Sequence, residues 1–121
     1  MMIISVIFFL TGCNSPIDLG VYDESVPPEQ QCTLIIDKTL LVGFFDDKEV
    51  HWGDTDFAAR TIIQIPAGNH SFWVYFQIGL HGADIDIGPY TFHAGRTYKM
   101  SLKRAKLSES PQVEILENII K

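Results

Sequence analysis

The segment TIIQIPAGNHSFWVYF, residues 61–76, holds two apolar runs on either side of a short turn signal. The runs are rich in β-branched and aromatic residues, which favour strands. Pro66 ends the first run because proline has no N–H to donate to a sheet, and Gly68 adopts positive φ at little cost. The segment therefore predicts a β-hairpin with strands over residues 61–65 and 70–76.

The remaining chain repeats this short-strand pattern without a long helical period. Further strands are predicted over residues 32–36, 40–45, 49–52, 90–93, 96–102 and 113–116. Aspartates favour tight turns, so Asp46 and Asp47 predict a second hairpin, and Ala94-Gly95 predicts a third. Seven or eight short strands at regular spacing predict an all-β chain that forms a single antiparallel β-sandwich.

Two hairpin motifs carry a resemblance to a known family. The segment IPAGNHSFWVYF resembles the P-A-G-x-H hairpin of PEGA-type domains, and FDDKEVHWG resembles the hairpin that precedes it in that family. The resemblance spans about residues 33–76 and departs at Asp47, where the family prefers glycine. It implies an immunoglobulin- or transthyretin-like sandwich of the bacterial envelope with a scaffolding or ligand-binding role.

The first residues resemble a bacterial lipoprotein signal. An uncharged apolar run, MMIISVIFFL, is followed by Leu10-Thr11-Gly12-Cys13, which matches the lipobox. The run has the length of a signal-peptide apolar region and is too short to cross a bilayer. The resemblance implies cleavage of residues 1–12, a diacylglycerol thioether on Cys13, and an amide-linked acyl chain such as palmitate. The alternative interpretation is a buried N-terminal strand.

These signals divide the mature chain into two parts. Residues 13–31 contain three prolines and four acidic residues and predict an acylated cysteine with a flexible tether. The alternative is an irregular edge strand docked through Val21 and Tyr22. Residues 32–121 are then the β-sandwich domain.

Charge and anchoring together limit the partners and the location. The formal net charge of −6 argues against nucleic acid, whose phosphates require a basic face. The lipid would hold the protein at the cell membrane or outer membrane, facing the periplasm or the cell exterior. Asn14 after Cys13 resembles the outer-membrane sorting pattern of enteric bacteria. Cys32 would be the remaining thiol, and its apolar run favours a buried position over a catalytic one.

No motif predicts an enzyme, a metal site or a cofactor. A metal cluster of His81, His93 and Asp84 is the sharper alternative, but the spacing lacks the usual local ligand pairs. Asp84 and Asp86 could also start a calcium loop, yet no closing Glu follows. Their alternation with isoleucine better predicts an edge strand with its acidic residues in solvent.

The strongest candidate ligand face comes from the alternation in residues 71–76. Phe72, Val74 and Phe76 share one face of the predicted strand, which leaves Trp73 and Tyr75 on the other. Exposed aromatic residues are typical of protein or sugar contacts. The alternative is that apolar loop residues fold over them, namely Ile78, Leu80, Ile85 and Ile87. The predicted function is a non-catalytic binding or scaffolding role beside another envelope protein; the alternative is a glycan- or small-ligand-binding module.

Overall fold

The structure is a computed structural model that describes residues 16–53, 59–78, 81–103 and 112–118. Within these residues it contains nine strands and one short 3₁₀ turn, Pro28–Gln30. The strands are β1 Ile17–Val21, β2 Gln31–Ile36, β3 Leu40–Phe45, β4 Lys48–Trp52, β5 Thr61–Pro66, β6 Gly68–Ile78, β7 His81–Phe92, β8 Thr97–Lys103 and β9 Gln112–Asn118. The all-β prediction is confirmed.

The strands form two sheets that share one apolar core. The larger sheet has the order β1-β5-β2-β8-β9 and the smaller sheet has the order β4-β3-β6-β7. Both sheets supply side chains to the same buried cluster. The prediction that every neighbouring pair is antiparallel is wrong, because β1 runs parallel to β5 and β2 runs parallel to β8.

The first and third predicted hairpins are also wrong. The connection after Pro66 leads from β5 in the larger sheet to β6 in the smaller sheet, so these strands face each other across the core. Buried Ile63 and Ile65 lie on one side and Phe72 and Val74 on the other. The turn at residues 93–96 likewise carries the chain from β7 back to β8 in the larger sheet.

The second predicted hairpin is confirmed. Strands β3 and β4 are antiparallel neighbours, and two residues connect them. Asp46 has φ 50° and Asp47 has φ 67°. Two positive φ angles in a two-residue connection are typical of the type I′ turn, whose twist matches that of the flanking strands.

Residues 16–31 differ from the predicted flexible tether. β1 pairs with β5, and the ring of Tyr22 lies 5.0 Å from that of Phe45, centre to centre. The Gln31 side-chain amide donates to the carbonyls of Asp23 and Val26 at 3.1 and 3.0 Å. This is the edge-strand alternative, with Tyr22 docked and Val21 40% exposed. The predicted signal peptide and Cys13 lie outside the described residues.

Cys32 is buried in the core, and this burial gives a prediction for alkaline pH. Burial raises the pKa of its thiol to about 11. In the unfolded chain the thiol ionises at about pH 8.5. Below that pH the thiol does not reduce the free energy of unfolding. Between about pH 8.5 and 11 the unfolded chain ionises while the folded protein does not, so the free energy of unfolding falls. We expect the thiol to lower the free energy of unfolding by about 2 kcal/mol between pH 7.5 and 10.5.

Urea denaturation at the two pH values measures this loss. The control is Cys32→Val, which has similar volume, and both proteins carry Cys13→Ala so that a single thiol is compared with none. Burial also raises the pKa of Tyr98, but that group titrates in both proteins. An equal loss of stability in both proteins would contradict the prediction.

Candidate functional site

The outer face of the smaller sheet carries a row of aromatic and acidic side chains. In the strand register, Glu49 is opposite Phe44, Phe44 is opposite Trp73, and Trp73 is opposite Asp86. Directly paired residues point to the same side of a sheet. The row therefore crosses all four strands, with two aromatic side chains in the middle and a carboxylate at each end.

A second row lies beside the first. Leu41 is opposite Tyr75, and Tyr75 is opposite Asp84. The alternation along β6 places both Trp73 and Tyr75 on the outer face, where they are half-buried. Ile85 and Ile87 pack against the core and do not cover these aromatic rings. The side chain of Ile78 and all of Leu80 lie outside the described residues.

A β-bulge turns Phe44 onto this face. Val42 is opposite Val74, yet Phe44 is already opposite Trp73, so Gly43 is the additional residue. Without the bulge, Phe44 would point into the core and Phe45 outward. Instead Phe44 is 42% exposed and Phe45 is 2% exposed. Phe44 is the site residue that the alternation missed, and the glycine within an apolar strand run is the signal that indicates a bulge.

Two glycines allow the aromatic rings to lie flat on the sheet. A Cβ on Gly43 would stand 2.6 Å from two carbons of the Trp73 ring, which shows that this ring lies directly over the glycine. The Tyr75 ring lies over Gly82 in the same way. Phe44 meets Trp73 edge to face, with ring centres 6.0 Å apart. The Trp73 ring is thus held in place by Gly43 beneath it and by Phe44 beside it.

A groove of about 460 Å³ opens beside Trp73. Its walls are Phe44, Asp47, Ser71, Phe72, Trp73, Asp86, Ile87 and Gly88. Asp47 and Asp86 are exposed, and neither side-chain carboxylate has a hydrogen bond or ion pair with another described residue. Two free carboxylates beside an aromatic wall suit a ligand that offers hydrogen-bond donors or positive charge.

The charged side chains that the smaller sheet places on this face are acidic. Lys48 is the one lysine or arginine within the four strands of the smaller sheet. It is opposite the buried Phe45, so it does not share the face of Phe44 and Trp73. The outer face therefore presents carboxylates without a neighbouring lysine or arginine from its own strands.

His70 has a structural position beside the groove. One ring nitrogen, Nδ1, lies 2.5 Å from Asp46 Oδ2, and the other, Nε2, lies 2.6 Å from the Pro66 carbonyl oxygen. Asp46 Oδ1 also accepts the Ser71 backbone N–H at 2.8 Å. The histidine thus closes the turn after Pro66 and connects that turn to the β3–β4 turn.

The alternative metal sites receive no further support. His93 and Asp84 are exposed, and the His81 side chain lies outside the described part. In the ranges that the structure describes, no group of three His, Cys, Asp or Glu side chains could hold a metal ion. Nor do these ranges contain a helix with the length and hydrophobicity needed to cross a bilayer.

The fold and this face together define a class: an all-β, two-sheet domain with an acid-flanked aromatic groove on one outer surface. Comparisons with protein-family models, with curated proteins and with solved structures find no match to this chain.

Proposed function

We propose that the protein is a lipid-anchored, non-catalytic binding module of the bacterial envelope. It is accessory to another envelope protein, which it binds through the outer face of the smaller sheet. The observation that carries the proposal is the Phe44–Trp73 pair, which stands on this face beside the groove. Aromatic side chains on a rigid surface supply much of the energy of protein contacts.

The sequence supports the anchor and the location. The lipobox ending at Cys13 resembles lipoprotein signals, and several acyl chains hold a protein stably in a membrane. The resemblance of residues 33–76 to PEGA-type domains supports a sandwich module of the envelope. β1 joins the larger sheet from Ile17 onward, and Tyr22 packs against Phe45 and Trp52. Few residues therefore separate Cys13 from the domain, which would keep the binding face near the membrane.

A binding role agrees better with the groove than a catalytic one. Its carboxylates, on Asp47 and Asp86, are exposed, whereas a catalytic acid usually has its pKa raised by burial. His70, the nearest histidine along β6, already faces an oxygen atom with each ring nitrogen. These side chains offer contacts and charge rather than a poised acid–base pair.

A glycan is the second candidate ligand, and the composition of the groove favours it. Sugars stack on aromatic rings, and their hydroxyl groups donate hydrogen bonds to carboxylates. Trp73 offers such a ring, with Asp86 opposite it on one side and Phe44 on the other. The Trp52→Phe variant retains Trp73 as its single tryptophan. Quenching of its fluorescence by soluble envelope oligosaccharides would support this candidate.

Membrane fractionation and crosslinking in the source organism test the proposal. We expect wild type in the membrane fraction, and Cys13→Ala in the soluble fraction, because the acyl chains supply the anchor. We also expect wild type to crosslink to a defined envelope protein, and Phe44→Ala to lose that crosslink while staying in the membrane.

Two results would contradict the proposal in different ways. A wild-type protein in the soluble fraction would refute the anchor. A crosslinked partner that Phe44→Ala retains at wild-type yield would show that the partner binds elsewhere on the domain.

A further inference from the structure

We propose that the partner binds as an extended basic segment, which pairs with the free edge of β7 and places an arginine in the groove beside Trp73. This inference rests on the proposed function and specifies the chemistry of the partner. It draws on three features of the face: an open strand edge, a one-sided charge, and the distance from that edge to the aromatic pair.

The open edge belongs to β7. This strand spans His81–Phe92 and ends the order β4-β3-β6-β7, so its second side is hydrogen-bonded to no other described strand, although β9 of the larger sheet approaches β7. Unpaired N–H and C=O groups along an edge accept an added strand. Pro89 has no N–H to donate, so regular pairing with an incoming strand is confined to residues 82–88. This span borders the groove, since Asp86, Ile87 and Gly88 line it.

The negative charge of the face favours a basic strand as the added one. Asp84 and Asp86 are exposed on β7 and point to the same side, with Asp47 across the groove. These acidic residues oppose pairing with the same edge of a second copy, because like charges would meet. A basic strand would meet opposite charges at Asp84 and Asp86, in the middle of this span, which favours both its approach and its orientation.

The distance favours a long side chain. Adjacent strands lie about 4.8 Å apart, so a residue that pairs opposite Asp86 has its Cα about 10 Å from that of Trp73. A short side chain at that position would reach β7 but not the Trp73 ring on β6. An arginine reaches across β7 toward the ring, where its planar guanidinium can stack on tryptophan and donate to carboxylates at the same time.

Tryptophan fluorescence with a defined peptide tests the inference. The probe is acetyl-Val-Arg-Val-Arg-Val-Arg-Val-amide, added to the full-length protein carrying Trp52→Phe. The matched control peptide replaces each arginine by citrulline, which keeps the shape and removes the charge. We expect saturable binding of the arginine peptide, weakened by salt, and at least fivefold weaker binding of the citrulline peptide.

Protein variants locate the contact. Asp86→Asn is expected to weaken binding of the arginine peptide about fivefold, which is the effect on affinity expected from losing a single exposed ion pair. Glu29→Gln, an equal charge change at an exposed position on the 3₁₀ turn, is expected to leave binding unchanged. Circular dichroism of each variant checks that the sheets are intact.

Three outcomes would overturn the inference. These are equal binding of the two peptides, equal weakening by Asp86→Asn and Glu29→Gln, and no binding of the arginine peptide. If the crosslinked partner is nevertheless captured in a Phe44-dependent manner, the proposed function stands and only the basic-strand inference fails. If the crosslink is also absent, the proposed function fails as well.

Discussion

Replacing Phe45 with alanine is expected to lower the free energy of unfolding by about 3–5 kcal/mol, which is the usual range for a buried phenylalanine. A small domain has about 5–15 kcal/mol in total, so the substitution would remove a substantial part of that stability. The side chain is 2% exposed, and its ring contacts those of Tyr22 and Trp52, with centres 5.0 and 4.8 Å away. It also contacts Phe72, at 5.4 Å.

The reason for so large an effect is the number of elements that meet at this ring. Tyr22 follows β1, Trp52 ends β4, and Phe72 lies in β6, while Phe45 itself ends β3. Truncation leaves a cavity that four separate segments would have to close, and well-packed neighbours relax only in part. Urea denaturation of the variant measures the loss directly.

The neighbouring phenylalanine is the matched control. Phe44→Ala removes the same atoms one residue earlier, from a side chain that is 42% exposed. We expect it to cost less than about 1 kcal/mol, because an exposed ring leaves no cavity when it is removed. A larger loss for Phe44→Ala than for Phe45→Ala would contradict the bulge at Gly43, since without that bulge Phe44 would be the buried ring and Phe45 the exposed one.

Local pattern predicts the strands of this protein well and their partners less well. β3 lies at the predicted residues 40–45, and the Asp46-Asp47 turn has the positive φ angles that aspartate tolerates. The connection after Pro66 carries the same turn signal, yet it joins two sheets. A short loop containing glycine serves a hairpin or a crossing between sheets equally well, because contacts distant in sequence decide which one forms.

The same limit explains the outcome for residues 16–31. Their prolines and acidic residues predict a tether from composition alone. The structure docks them through contacts with distant residues, chiefly the pairing of β1 with β5 and the packing of Tyr22 on Phe45. Neither contact leaves a local pattern in the sequence, and the parallel pairing of β1 has no turn that would indicate it.

The candidate site was predictable in part. A period of two places Trp73 and Tyr75 together on one face, and the structure has them there. Phe44 joins them only because the bulge at Gly43 shifts the register by one residue. Asp86 and Asp47 reach the groove through strand pairing and turn geometry, which depend on the whole sheet. A one-strand pattern therefore identifies the centre of the face and misses its borders.

Asp46→Ala is the second large change, expected to lower the free energy of unfolding by about 2–4 kcal/mol. The carboxylate accepts the Ser71 N–H at 2.8 Å and lies 2.5 Å from His70 Nδ1, so alanine removes two contacts, one of them charge-assisted. His70, whose side chain is 11% exposed, would keep a ring nitrogen without its partner. Alanine also adopts φ 50° only with strain, whereas aspartate and asparagine tolerate it.

Asp46→Asn separates these contributions. Asparagine tolerates the positive φ angle and retains an oxygen for the Ser71 N–H, and its amide can donate to a neutral imidazole that keeps its bond to the Pro66 carbonyl. We therefore expect a loss of about 1 kcal/mol or less for Asp46→Asn in urea denaturation. If Asp46→Ala were equally mild, the clamp between the two turns would contribute little to stability.

The clamp also bears on the binding face, because Asp46 immediately precedes Asp47 and holds Ser71, and both of these residues line the groove. In Asp46→Ala the β3–β4 turn loses both side-chain contacts to β6 and keeps the backbone bond from the N–H of residue 46 to the Ser71 carbonyl. One wall of the groove is then held less firmly, while the Trp73 ring still lies over Gly43. We therefore expect the folded fraction of Asp46→Ala to bind the arginine peptide more weakly than Asp46→Asn does. Equal peptide affinity for the two variants, measured at a temperature where both are folded, would show that the groove keeps its shape without the clamp.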